Sequence, residues 1–188
     1  MLYRNVLALL LGFVVSVGAV HAQDAAHVAA DVSTEKWTYD TAFDYEAEHP
    51  GLGYSEGYRS LDGYATAYAY TQGMTWRNGI SDPKLRDELE ATLDEVRGAS
   101  HDFYQDLNIG VPTTVRIAGH EFLTVVMSFT GYGVPSISQT YLTVKQGNLV
   151  KYRITMRLPK DEAIREAVEF IADDIASRGA KLKDSKIL

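Results

Sequence analysis

The chain has 188 residues, of which 46% are hydrophobic and 23% charged, a balance that suits one folded domain and excludes a disordered polymer. It contains no cysteine, which excludes disulfides, thiolate metal sites, thiol nucleophiles and lipid carried on cysteine. A formal net charge of −7 gives no general attraction to nucleic acid or anionic lipid, so no nucleic-acid partner is expected.

Residues 1–22 read MLYRNVLALLLGFVVSVGAVHA. Arg4 supplies a short positive start, and an apolar run extends from Val6 to Val20. Val20 and Ala22 are small residues at −3 and −1 of a cut before Gln23, the pattern of a secretory signal peptide. The run is shorter than the ~20 apolar residues that cross a bilayer. The expected mature chain is therefore periplasmic or secreted, cleaved between Ala22 and Gln23, with no membrane span after signal removal. Losing Arg4 takes Lys and Arg from 18 to 17 against 25 Asp and Glu. Residues 23–35 are small and polar and read as a flexible lead-in.

From Trp37 to Tyr45 the aromatic and β-prone residues fall on odd positions, a half-buried strand pattern. Pro50-Gly51 breaks it, and further strands are expected at 54–60 and 64–71 around the Asp62-Gly63 hairpin signal. On the third strand Tyr64, Thr66, Tyr68 and Tyr70 share one face. Ala65, Ala67 and Ala69 share the other, which suits a closely packed helix. Ser81 or Asp82 can cap a helix with Pro83 in its first turn. Leu85, Leu89, Leu93, Val96, Ala99, Phe103 and Leu107 recur at helical spacing, so one helix is expected over 82–106, through Gly98.

Four more strands are expected at 113–118, 121–129, 138–145 and 149–158, an antiparallel meander punctuated by Gly119, Gly131-Tyr132-Gly133 and Gly147-Asn148. In the last, Val150, Tyr152, Ile154, Met156 and Leu158 point one way, and Lys151, Arg153, Thr155 and Arg157 the other. Pro159 ends it. Asp161 and Glu162 favour a helix start, Ile164, Val168, Ile171 and Ile175 form its stripe, and Gly179 is a natural stop. Segregated strands and helices give an α+β fold, an antiparallel sheet of about six to seven strands with a long middle helix and a C-terminal helix packed on it. The expected organisation is a single domain over 36–178 and a tail over 179–188.

That element order resembles the PsbP/Mog1-like architecture, and the segment from Phe43 to Tyr70 resembles small exported bacterial proteins of unassigned function. A cystatin-like or other helix-on-sheet fold is the rival. The first resemblance implies an accessory or binding protein. It supplies no catalytic residues.

Candidate chemistry is sparse. His120-Glu121 lacks the second histidine of a zinc-protease helix, since Thr124 stands in its place. His49, His101 and His120 have no metal-ligand spacing, so no metal and no cofactor are expected. No G-x-S-x-G elbow is present. Tyr54, Tyr58, Tyr64, Tyr68 and Tyr70 form the most unusual cluster, amphipathic rings that suit either a ligand surface or cross-strand pairing. Lys151, Arg153 and Arg157 form a basic row that reads as a solvated strand face or as a receiver of carboxylate, phosphate or an acidic partner. The expected function is an exported periplasmic accessory or binding domain, acting on an envelope protein or a small ligand through Tyr58, Tyr68, Tyr70, Arg153 and Arg157. The alternatives are a small envelope hydrolase using His101 or His120 with a carboxylate such as Glu121, and a secreted toxin or immunity protein.

Overall fold

The computed structural model describes residues 36–184, with side chains except at 100–103 and 179–184. The expected leader, lead-in and last four residues lie outside the described residues. Eight strands and two helices follow in the order β1 (Thr38–Asp44), β2 (Tyr54–Arg59), β3 (Gly63–Tyr70), α1 (Lys84–Phe103), β4 (Gln105–Ile109), β5 (Thr113–Ile117), β6 (His120–Gly131), β7 (Val134–Lys145), β8 (Asn148–Met156) and α2 (Lys160–Asp184). The strands form one antiparallel sheet in the order β1-β2-β3-β8-β7-β6-β4. β5 and β4 share one edge of β6, against its first and second halves.

The α+β class stands, but the sheet is larger than the six to seven strands expected. The additional strand is β4, which falls where the helical spacing ran on to Leu107. The helix ends at Phe103, and Asp106 takes a φ of 54° inside the new strand. Tyr104, Leu107 and Ile109 pack against the same cluster as the leucines of α1, so the apolar stripe continues in a strand instead of a helix. At the other end, Gly179 lies within α2, which runs on to Asp184.

The meander β5 to β8 is joined by three two-residue turns. Ala118-Gly119, Tyr132-Gly133 and Gln146-Gly147 each place both residues at positive φ. That is the type I′ geometry whose twist matches antiparallel strands, and glycine is the residue that adopts it most easily.

Each face of the sheet carries a helix. Ala65, Ala67 and Ala69 leave room for α2, whose Ala163, Ala167, Phe170, Ile171 and Ile175 pack there with Val150, Tyr152, Ile154 and Met156. On the other face Leu85, Leu89, Leu93 and Val96 of α1 cover Tyr70, Leu123, Leu142, Val144 and Leu149. Burying each such leucine contributes roughly 1.5–3 kcal/mol. Asp82 fixes where α1 begins, its carboxylate accepting the backbone N–H groups of Lys84 at 3.1 Å and Arg77 at 3.0 Å.

Candidate functional site

The α1 face changes character along the strands. One cross-strand row, running β3-β8-β7-β6, is Tyr68, Lys151, Leu142 and Leu123. The next is Thr66, Arg153, Thr140 and Val125, and the one after is Tyr64, Thr155, Ser138 and Met127. A face that starts as leucine and valine thus becomes rich in hydroxyls and cations. Thr140, Ser138, Thr155 and Lys151 are nevertheless buried.

Two of these groups are fixed. Glu88 of α1 accepts the Tyr70 hydroxyl at 2.5 Å and the Gln72 side-chain amide at 2.8 Å. The hydroxyls of Ser138 and Thr155 satisfy each other at 2.9 Å.

Four others are not. Lys151 Nζ lies 3.9 Å from Glu88 and about equally over the rings of Tyr68 and Tyr70, at 5.2 and 5.3 Å, with no hydrogen bond to a described residue. Burial holds its pKa below the usual lysine range, while Glu88 and Glu95 oppose that shift. Arg153 is half-buried. Its Nη2 reaches the Tyr104 hydroxyl at 3.3 Å, but its Nε is buried without a partner among the described residues. Thr140 Oγ1, across the β7–β8 pairing, is also buried without a partner among the described residues. Glu95 stands two turns beyond Glu88 on α1 and makes no hydrogen bond or ion pair to a described residue. Burial pushes its carboxyl up to about 7, Lys151 and Arg153 opposing and Glu88 adding.

Buried polar atoms without partners are few in folded proteins, and each costs about 1–3 kcal/mol. Two of these, on the paired residues Arg153 and Thr140, stand one row along the sheet from Lys151.

The expected surface residues are divided among different places. Tyr68 and Arg153 lie on this face. Tyr70 is on it too but only 3% exposed, sealed under α1 and bonded to Glu88. Tyr58 is also 3% exposed, on the α2 face, where it bonds to Glu56 at 2.8 Å. Arg157 is exposed beyond the end of β8. Lys151, read as part of a solvated row, is buried because α1 covers that face.

His120 opens β6 half-buried, its pKa lowered by burial and then by Lys145. Its neighbour Glu121 pairs with Arg116 at 3.0 Å, on the opposite side of the strand by alternation. His101 lies in the last turn of α1, three residues before Tyr104, whose ring packs on Phe129 at 4.5 Å. Phe129 is nine residues along β6 from His120, roughly 30 Å at ~3.3 Å per residue, so the fold does not bring the two histidines together.

The α2 face holds a network that the sequence reading missed. Arg178, fully buried, donates from Nε to Asp174 at 2.5 Å and from Nη2 to Glu56 at 2.7 Å. Tyr152 donates to Asp174 at 2.7 Å. These bonds tie the C-terminal part of α2 to β2 and β8. The i, i+4 spacing of Asp174 and Arg178 was the available signal, but such pairs usually lie in solvent.

No protein-family model matches this chain, and no curated protein matches it. The solution structure of cyanobacterial PsbP (CyanoP) from Synechocystis sp. PCC 6803 is similar, covering 83% of this chain and 95% of that one, at 12% identity and a TM-score of 0.45. No helix among the described residues is long and apolar enough to cross a membrane.

Proposed function

We propose that this chain is an exported accessory or binding domain, without chemistry of its own, that holds a small ligand against the α1 face of its sheet. The observation that carries this reading is the pair of buried atoms Arg153 Nε and Thr140 Oγ1, on paired strands and without a partner among the described residues, one row from Lys151. A small ligand suits the site better than an envelope protein does, because Thr140 and Lys151 lie beneath a helix and not on an open surface. Binding is favoured over catalysis because Glu88, the neighbouring carboxylate, is already engaged by Tyr70 and Gln72. The leader-like residues 1–22 support the exported location.

The test is native mass spectrometry of the protein purified from the periplasm without denaturation. A small-molecule adduct that is lost in Arg153→Met, in a chain with unchanged circular dichroism, supports the reading. A bare wild-type chain, with a metabolite extract leaving the amide resonances of Thr66, Thr140 and Arg153 unmoved, overturns it.

A further inference from the structure

We infer that Asn78 is a deamidation site gated by the fold. Its side-chain amide is held unreactive while the loop between β3 and α1 is docked on β7, and it is converted when that loop opens. The inference stands apart from the binding reading above.

Asn78-Gly79 is the single Asn-Gly step in the sequence. Such a step can close on itself. The backbone nitrogen of the glycine loses its proton and attacks Cγ of the asparagine. The N–Cγ bond forms and the Cγ–Nδ2 bond breaks. The proton, passed through solvent, leaves with Nδ2 as ammonia. Water then opens the cyclic imide. Attack at Cγ gives aspartate. Attack at the old main-chain carbonyl gives isoaspartate, whose chain runs through the side chain and is one atom longer. In sum one water enters and one ammonia leaves. Glycine is the favoured second residue because it has no Cβ to crowd the ring.

Asn78 is exposed, so solvent reaches it. Both reacting groups are nevertheless tied elsewhere. The Gly79 N–H donates to the Val144 carbonyl at 2.8 Å, and the Gly79 carbonyl accepts the Val144 N–H at 3.1 Å. Asn78 Oδ1 accepts the Gly147 N–H at 3.1 Å. Val144 lies beyond the last β6–β7 pair, Leu123 with Leu142, so its outward backbone groups take Gly79 in place of a strand. The nitrogen that must lose its proton is a committed donor. The carbon it must reach belongs to an amide held on the turn between β7 and β8. Trp76 anchors the same loop, buried among the leucines of α1 with its Nε1 donating to the Thr71 carbonyl at 2.8 Å. Attack therefore requires the Gly79 bridge and the Asn78 bond to open together, a local event of the kind that frees surface loops.

The product decides whether the loop returns. Aspartate keeps an oxygen where Oδ1 was, and its contact with the Gly147 N–H gains a charge. Isoaspartate lengthens the path from Arg77 to Gly79 by one atom. The Arg77 N–H is fixed to Asp82 at 3.0 Å, so the added length falls on Gly79 and carries it off Val144. Conversion to isoaspartate makes the opening permanent.

The experiment follows Asn78 by peptide mapping of the full mature chain at neutral pH, in buffer and in concentrated urea. Hydrogen exchange of the Gly79 amide is measured in the same buffer. In urea Asn78 is expected to convert as fast as in a free peptide of the same sequence. In buffer it is expected to be at least about tenfold slower, by a factor that matches the protection of the Gly79 amide, since one opening frees that nitrogen for both reactions. The isoaspartate form, separated by charge, is expected to lose protection at Gly79 and Val144, and Asn78→Asp to keep it. Equal rates in buffer and urea overturn the gate. So does a slowing that falls about tenfold or more short of the Gly79 protection. Absence of conversion at Asn78 in urea overturns the site. Protection kept in the isoaspartate form, or lost equally in Asn78→Asp, overturns the role of the added atom.

Discussion

Arg153 and Thr140 are partners across β8 and β7, and each leaves a polar atom buried with no hydrogen bond to a described residue. Folding gains nothing from that arrangement. A methionine in place of the arginine fills similar space without an unsatisfied donor. Arg153→Met is therefore expected to leave stability unchanged or to raise it by up to about 1 kcal/mol in urea denaturation. A loss of more than about 2 kcal/mol would make Arg153 a structural residue and remove the reason to look for a ligand beside it.

Arg178 also keeps one buried nitrogen, Nη1, without a partner among the described residues, but its Nε and Nη2 are engaged. Its guanidinium joins Asp174 and Glu56, and its removal leaves two carboxylates buried without their cation. Arg178→Met is expected to cost about 3–5 kcal/mol. Tyr58→Phe, which deletes a hydroxyl bonded to Glu56 at 2.8 Å and to Asp174 at 3.5 Å, is expected to cost about 1 kcal/mol. Denaturation curves for the two variants check the ranking. Equal and small losses would show that this network is dispensable.

Gly98 sits mid-helix in α1, exposed, with open space where a Cβ would go. Alanine there removes backbone freedom from the unfolded chain and meets nothing in the folded one. Gly98→Ala is expected to gain about 1 kcal/mol. A melting temperature that falls would mean that α1 does not run unbroken through this position.

Glu95 sets a pH dependence. Its carboxyl is raised from the ordinary 4.5 to about 7 in the folded chain. Between those values the folded protein holds a proton that the unfolded chain releases, so stability falls as pH rises, and it levels off above 7. Glu95→Gln is expected to remove that decline. The comparison is between the melting temperatures of variant and wild type at pH 5, 6, 7 and 8. Two parallel profiles would place Glu95 in ordinary solvent.

The sequence was most informative where alternation was strict. Val150, Tyr152, Ile154 and Met156 announce β8, and Ala65, Ala67 and Ala69 announce a face for a helix; α2 packs there. Alternation cannot say what covers the other face. Lys151 and Arg153 looked solvated because nothing in their own segment records α1 lying over them. Nor does parity carry from one strand to the next, so Tyr58 and Tyr68 read as one cluster although they stand on opposite faces. β4 was hidden for a related reason. Leu107 serves the same cluster from a strand that it would serve from a longer helix.

The most direct test is a crystal structure of the mature chain, purified from the periplasm without denaturation and refined near 1.5 Å. The binding account predicts non-protein density bridging Arg153 Nε and Thr140 Oγ1. Side chains closed over one another there, with Arg153 Nε bonded to a protein acceptor and no density between, would contradict it.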